Sequence, residues 1–292
     1  MQPRVSVITP AYNRRDLMPA TLDSVLGQTF PDFEYLIVDD GSTDGTFEWL
    51  KAISDPRVTV LNHENRANHG QAASINLGLS RARGDYLVIL DSDDLLAPEA
   101  LEMHLACLDR HDSLGMVYGQ GYAIDVHGNR LYPLFSDDHQ EEGVPDNLLL
   151  DCYVVSPGLC MFRRSIVGAA GPLEVSFRAA QDHDFLLRVV EKAPFAYSGA
   201  LCFYYRKHDG SISTNGQLAR WQNGFEILRR AASRYPYRNA TLRKRKAVLC
   251  FRLGATLFGQ GHRLRALGYL AKSGLLDPAR AVAVVFGREA IR

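Results

Sequence analysis

Gly84-Asp85-Tyr86-Leu87-Val88-Ile89-Leu90-Asp91-Ser92-Asp93-Asp94 is an apolar run of buried-strand length that ends in three carboxylates within four positions. A strand that delivers clustered acids to its C-terminal edge points to a divalent-metal site. Like charges packed together repel and raise one another's pKa, so the cluster calls for a cation or water. Hard oxygen donors suit Mg2+ or Mn2+ held together with substrate phosphates. The alternative is a solvated turn in which Ser92 or Asp94 caps the next helix.

Upstream of this strand, short apolar runs alternate with helix-period segments. The pattern predicts strands at Val5 to Thr9, Tyr35 to Val38, Val58 to Leu61 and Tyr86 to Leu90. It predicts helices at Asp16 to Gln28, Thr43 to Ile53 and Gln71 to Arg83, the last closed by Gly84. Such alternation means βαβ units: an α/β fold with a mostly parallel sheet flanked by helices on both faces. Ligands of these sheets bind beyond the carboxyl ends of the strands. Three polar loops fall there: Thr9-Pro10-Ala11-Tyr12-Asn13, Asp39-Asp40-Gly41-Ser42 and Asp91-Ser92-Asp93-Asp94.

Beyond Pro98 the alternation weakens. A strand is expected at Gly115 to Tyr118, and a hairpin turn at His127-Gly128-Asn129 between Tyr122 to Val126 and Arg130 to Phe135. Ser136 to Asp146 is polar and acidic and reads as a mobile loop. A helix is predicted over Gln181 to Lys192, with Asp182 near its positive end. After Ser213 the composition turns to Arg, Ala and Leu at helical spacing, a helical C-terminal region. The expected division is a catalytic domain over 1–214, split into 1–97 and 98–214, and a basic helical region over 215–292.

The 292 residues, 46% hydrophobic, can bury one large core or one domain with a smaller appendage. The net charge of zero hides an asymmetry: residues 1–214 hold 17 Lys+Arg against 30 Asp+Glu, and residues 215–292 hold 16 against 3. A tail carrying +13 faces something anionic, a membrane surface or the acidic body itself. Its cluster Arg243-Lys244-Arg245-Lys246 is expected to present cations outward, toward anionic lipid or a partner, or merely to solvent. Five widely spaced cysteines without a Cys-x-x-Cys pair read as reduced thiols. With no signal-peptide stretch at the N-terminus, and with Ala247 to Phe258 broken by Arg252 and Ala281 to Phe286 too short to span a bilayer, the expected location is cytoplasmic. A peripheral contact at the inner membrane face stays open.

Neither a Gly-x-x-x-x-Gly-Lys-Ser/Thr loop nor a Gly-x-Gly-x-x-Gly after the first strand is present, so P-loop and ordinary dinucleotide chemistry are excluded. The first loop offers Pro10 for a fixed turn, Tyr12 as an aromatic face for a base and Asn13 as a two-way hydrogen-bonder. Asp40 can accept from a base N–H. Taken singly, Tyr12 also reads as packing and Asp39-Asp40-Gly41 as a plain turn.

Taken in order, these residues resemble the inverting glycosyltransferases of family 2, which have the GT-A fold. The resemblance rests on Val5-Ser6-Val7-Ile8-Thr9-Pro10-Ala11-Tyr12-Asn13-Arg14, on Leu36 to Thr46, on Asn68-x-Gly70 with Asn76-x-Gly78, and on Gly84-Asp85-Tyr86 with Asp91-Ser92-Asp93-Asp94. It continues through Gln181-Asp182-His183-Asp184 and Tyr205-Arg206-Lys207-His208 with Ser211 and Ser213. The resemblance implies that Thr9, Pro10, Tyr12, Asn13, Asp40, Asn68, Gly70, Asp91 and Ser92 hold the nucleotide. It implies Asp91 and Asp93 as the metal motif, joined by His208, with Mn2+ or Mg2+ as cofactor, and Asp182 as general base. Arg206 or Lys207 would neutralise phosphate.

The sequence departs from the family at Ser74 and Ile75, where Ala-Arg is usual, so a phosphate-facing arginine is absent or supplied by Arg66. Gln181 replaces the commoner Glu before the base, and Gly171-Pro172-Leu173-Glu174 follows its motif loosely.

The implied activity is metal-dependent, inverting transfer of a hexosyl group from a nucleoside-diphosphate sugar, a UDP-sugar foremost, to an acceptor hydroxyl in surface glycan or polysaccharide synthesis. The acceptor would be a glycan or a lipid-linked species; no nucleic-acid partner is expected, and a homodimer stays open. Two other classes compete: a haloacid-dehalogenase-like phosphatase using Asp91 and Asp93, and a non-catalytic sugar-nucleotide-binding protein.

Overall fold

A strand covered on both faces is apolar from end to end, and three strands of the first half are buried at every position. In the computed structural model, which describes residues 2–208 and 216–280, these are β1 (Val5–Ala11), β2 (Phe33–Asp39) and β4 (Tyr86–Ile89). With the edge strand β3 (Val58–Asn62) they run parallel in the order β3-β2-β1-β4. Each predicted helix between them is present and shorter, α2 by nearly half: α1 (Met18–Leu26), α2 (Thr46–Lys51) and α3 (Gln71–Arg81). Ser211, Ser213 and Ala281 to Phe286 lie outside the described residues.

Two motif glycines have a packing reason. A Cβ on Gly78 of α3 would stand 2.4 Å from Ile8 Cγ2 of β1, so only glycine lets the helix lie this close to the sheet. On Gly84 a Cβ would meet Ser6 N at 2.6 Å. Asn76, two residues before Gly78, clasps Leu173 by donating to its carbonyl (2.9 Å) and accepting from its N–H (2.8 Å).

The second half completes a nine-stranded sheet, counted among the described residues. After the short β5 (Leu95–Leu96) and α4 (Ala100–Arg110) come β6 (Met116–Ile124) and β7 (Arg130–Pro133). Next are α5 (Pro145–Leu150), β8 (Cys160–Arg163) and α6 (Arg164–Ala170). They are followed by α7 (Gln181–Val190) and β9 (Phe195–Arg206). Here β6 pairs with β9 in parallel, whereas β8 is antiparallel to both β4 and β6. The two strands expected at Gly115 to Tyr118 and Tyr122 to Val126 are one strand, β6, whose bulges absorb the glycines at 119 and 121.

The stretch after β7 is not the mobile loop that its polarity suggests. His139 stacks on Phe135 with ring centroids 4.5 Å apart, and its Nε2 lies 2.7 Å from the Tyr118 hydroxyl. Tyr118 also donates to Glu141 at 2.9 Å, and Pro145–Leu150 is helical. Polar residues are held here by a buried aromatic of a distant strand.

The chain divides into two units: residues 1–144, 154–176 and 188–209, and residues 145–153, 177–187 and 210–292. Two earlier segments, 145–153 and 177–187, group with the C-terminal helices. Those helices are α8 (Gln217–Arg234), α9 (Asn239–Gly259) and α10 (Arg263–Leu276). Asp146 of α5 fixes the start of α9 by accepting from Arg238 N (3.1 Å) and Nε (3.2 Å). Leu253, Leu257 and Ala266 form a small core with Leu218, Trp221, Phe225 and Tyr269.

Candidate active site

Because β1, β2, β3 and β4 are parallel, the loops that follow them emerge on one sheet edge. Asn13 locks the first loop to the second: its Oδ1 accepts from Thr43 N at 2.8 Å and its N–H donates to Ser42 Oγ at 3.0 Å. It does so from left-handed backbone (φ 50°), which Asn tolerates better than most residues. Tyr12 beside it is 46% exposed, an aromatic face open to a ligand. Thr9 and Pro10, assigned from sequence to the nucleotide, are buried in β1, and the Thr9 hydroxyl accepts from Tyr35 at 3.0 Å. They support the edge from behind and present no polar side-chain group to it.

Asp40 is buried, and both its carboxylate oxygens accept main-chain N–H groups, from His69 (2.8 Å) and Gly70 (2.9 Å). Asn68 Nδ2 donates to the Asp40 carbonyl at 2.9 Å. The aspartate therefore shapes the turn into α3, a role that a base-reading assignment from sequence does not reveal. Gly70 needs its φ of 89° for that turn. His63 sits over the same loop, 2.9 Å from Ser74 Oγ, and burial holds its pKa below the usual histidine value. Arg66 is committed elsewhere: its guanidinium lies 3.9 Å from the Phe47 ring centre and donates to the Ser42 carbonyl at 3.0 Å.

The acid cluster follows β4. Asp91 accepts from Gln71 Nε2, at the first position of α3, at 2.6 Å. Ser92 is buried, and its carbonyl accepts the Thr21 hydroxyl at 3.1 Å. Asp93 Oδ2 lies 2.8 Å from His208 Nε2 and 3.7 Å from Arg14 Nη2. Asp94 is buried; one oxygen accepts from Arg206 N at 2.8 Å and the other has no hydrogen-bond partner among the described residues. Burial first, then the charges of Asp93 and Asp91, push its pKa well above the carboxylate range. Arg206 is itself buried, and Lys207 lies over the rings of Tyr205 and Tyr132.

The first unit thus gathers Tyr12, Asn13, Asp40, Asn68, Gly70, Asp91, Ser92, Asp93 and His208 at or beside one edge. No group of three His, Cys, Asp or Glu residues that could hold a metal occurs among the described residues. Asp93 and His208 nevertheless converge, and the partnerless Asp94 oxygen lies in the same acid cluster. That donor set fits a divalent ion that takes its remaining ligands from substrate phosphates and water. Arg14 and Gln71 are residues that pattern reading passed over. Arg14 closes the quoted first motif and Gln71 follows Gly70, so position was their only signal.

Asp182 belongs to the second unit, at the N-terminal end of α7, where the helix dipole favours a carboxylate. Its Oδ1 accepts the N–H of His183 at 2.8 Å. Two residues earlier, Ala180 holds φ at 62°, a strained conformation for alanine. The α8 residue Asn223 fixes that segment by donating to the Ala179 carbonyl at 2.9 Å.

Next to Asp182, His183 is buried between Leu148 O, 3.3 Å from Nε2, and Arg245 Nη2, 3.4 Å from Nδ1. A guanidinium only donates, so Nδ1 accepts and the ring proton sits on Nε2, aimed at the carbonyl. Burial, and then the Arg245 charge, hold the imidazole well below its ordinary pKa, hence neutral. Arg245 Nη1 donates to Leu150 O at 3.2 Å. This arginine comes from the basic run 243–246 that the sequence places outward. Arg243, Lys244 and Lys246 are exposed, whereas Arg245 is buried and serves the helix that carries Asp182. Cys152 also neighbours Asp182; burial first, then that charge, push its thiol up to about 12.

Residues 6–170 match the family model described as glycosyl transferase family 2. The teichuronic acid biosynthesis glycosyltransferase TuaG of Bacillus subtilis is 34% identical over 223 residues, 73% of this chain and 83% of that protein. Chondroitin synthase of Escherichia coli is 30% identical over 246 residues, 80% of this chain; the chain spans only 33% of the synthase. Among solved structures, S. aureus TarS 1-349 in complex with UDP-GlcNAc superposes with a TM-score of 0.71 at 21% identity. That match covers 92% of this chain and 79% of the TarS 1-349 chain, a likeness of fold.

Proposed function

The chain belongs to glycosyl transferase family 2 and is a glycosyltransferase with the GT-A fold, and we propose that it is a metal-dependent inverting enzyme that moves a hexosyl group from a UDP-sugar to a glycan or lipid-linked acceptor. The observation that carries this reading is the Asp93–His208 pair, 2.8 Å apart, in the acid cluster after β4. TuaG and chondroitin synthase are named for polysaccharide synthesis, and TarS was solved with UDP-GlcNAc, which supports donor class and pathway type. No helix among the described residues is long and apolar enough to cross a membrane. The family match gives the phosphatase alternative no support.

In this proposal residues 1–97 bind the donor and 98–214 form the acceptor and catalytic half. Tyr12 gives the base a face to stack on, and the loop held by Asp40, Asn68 and Gly70 frames it. Arg14 offers its guanidinium to the diphosphate in place of the arginine missing near Ser74. Asp91, Asp93 and His208 would hold Mn2+ or Mg2+, which supplies Lewis-acid stabilisation of the departing diphosphate. Asp182 takes the proton from the acceptor hydroxyl as that oxygen attacks the anomeric carbon. The bond from that carbon to the diphosphate oxygen breaks on the opposite side, its electron pair leaves with the nucleotide, and configuration inverts.

The test is Asp182→Asn, assayed for donor binding by thermal shift with Mn2+ and for turnover. Binding should persist while turnover falls by ~10^2 to 10^4, the usual worth of a general base. Unchanged turnover would remove Asp182 from the mechanism, and absence of any nucleotide-sugar binding would remove the donor assignment.

A further inference from the structure

The helix α10 carries two apolar faces, and only one of them is packed among the described residues. Its inner face packs on α9: Ala266 is fully buried in the small core, and Leu270 lies so close to Gly254 that a Cβ there would be 2.9 Å from its Cγ. On the other side Leu264 is 87% exposed, Leu275 83% and Leu267 56%. At roughly 100° per residue, Leu264, Leu267, Gly268, Ala271 and Leu275 fall within an arc of about 100°. Arg263 borders that arc on one side, and Lys272 with Arg265 on the other, all three exposed.

We propose that this stripe seats the protein on an anionic lipid surface, with α10 lying in the plane of the headgroups. An apolar strip bordered by cations is what a helix needs in order to bury leucines among acyl chains while its arginines and lysine meet anionic headgroups. The surrounding charge agrees: residues 216–280 hold 14 Lys+Arg against 2 Asp+Glu. A second copy of the chain fits less well. Apposed stripes would set Arg263, Arg265 and Lys272 against their own kind, and three leucines fall far short of the ~800 Å2 per partner of a stable interface. Of the cation run 243–246, Arg245 is spent inside the fold, which leaves only Arg243, Lys244 and Lys246 exposed.

The experiment is vesicle flotation of the 292-residue chain with phosphatidylcholine alone and with phosphatidylcholine plus phosphatidylglycerol. Two triple variants accompany it: Leu264→Ser with Leu267→Ser and Leu275→Ser, and Arg263→Gln with Arg265→Gln and Lys272→Gln. Because all six side chains face solvent, the melting temperatures should match the parent. The parent should float with the anionic vesicles and be released by salt, and each variant should bind at least about tenfold more weakly. The proposal is overturned if the parent ignores anionic vesicles, if the leucine variant floats as well as the parent, or if the stripe instead drives self-association that the leucine variant abolishes.

Discussion

Arg245 of α9 donates to Nδ1 of His183 at 3.4 Å, and through that ring it reaches the residue next to Asp182. A cation from the basic C-terminal region is thereby part of the support of an acidic helix start. Replacing it by Met strips two donors from buried acceptors, His183 Nδ1 and Leu150 O, each worth about 1–3 kcal/mol when left unpaired. Arg245→Met should therefore destabilise the fold and lower kcat with little change in donor KM. Loss of the guanidinium charge should also raise the His183 pKa, measurable by NMR titration. An unchanged His183 titration in the variant would show that the Arg245 charge does not act on this ring.

His208 and Asp93 should be separable from the fold. Both side chains are partly exposed, so His208→Ala should leave the melting temperature of the ligand-free protein within a degree or so. It should weaken Mn2+-dependent stabilisation by UDP by ~10- to 100-fold, the range seen when a metal's protein partners are removed. Equal stabilisation of parent and variant would take His208 out of the metal site.

Gly78→Ala tests the packing of α3. The new methyl would stand 2.4 Å from Ile8 Cγ2, on a β-branched side chain with little room to turn. Overpacking of this kind costs about 1–3 kcal/mol. A denaturation midpoint equal to the parent's would show that α3 can lift without loss.

Two buried histidines set the acid side of the stability curve. Burial pushes His104 down to about 4 and His183 well below its ordinary value, whereas the unfolded chain protonates both near 6.5. The unfolded state then binds more protons, so stability is full above about 6.5 and falls as pH drops. For His104 the loss runs down to about pH 4 at about 1.4 kcal/mol per pH unit. Urea midpoints measured between pH 7.5 and 5 should decline, and His104→Gln should flatten the decline. A midpoint constant over that range contradicts the neutral assignment.

Much of the first half was legible because its signals are local. Buried parallel strands are continuous apolar runs, and the acids after Leu90 and the Asp-Asp-Gly turn after Val38 mark where those runs stop. The second half was harder to read. Polar composition alone suggests a mobile Ser136 to Asp146, yet Tyr118 of β6, Tyr197 of β9 and Phe135 just after β7 gather around His139. Asp40 was readable as a candidate ligand and not as the residue that fastens His69 and Gly70, since that bond joins positions some thirty residues apart.

The order of residues alone fixed the alternation of strand and helix, the parallel edge with its acids, and the charge divide near residue 214, because each depends on neighbours in the chain. Tertiary structure decided which charges are spent inside and which face outward. Arg245 and Arg243 are two residues apart in one helix and chemically alike, yet one is buried against His183 and the other is exposed. The same holds for the leucines of α10, whose periodicity marks a helix but whose exposure depends on where α9 lies. Burial is a property of contacts between distant segments, and no local window of sequence contains it.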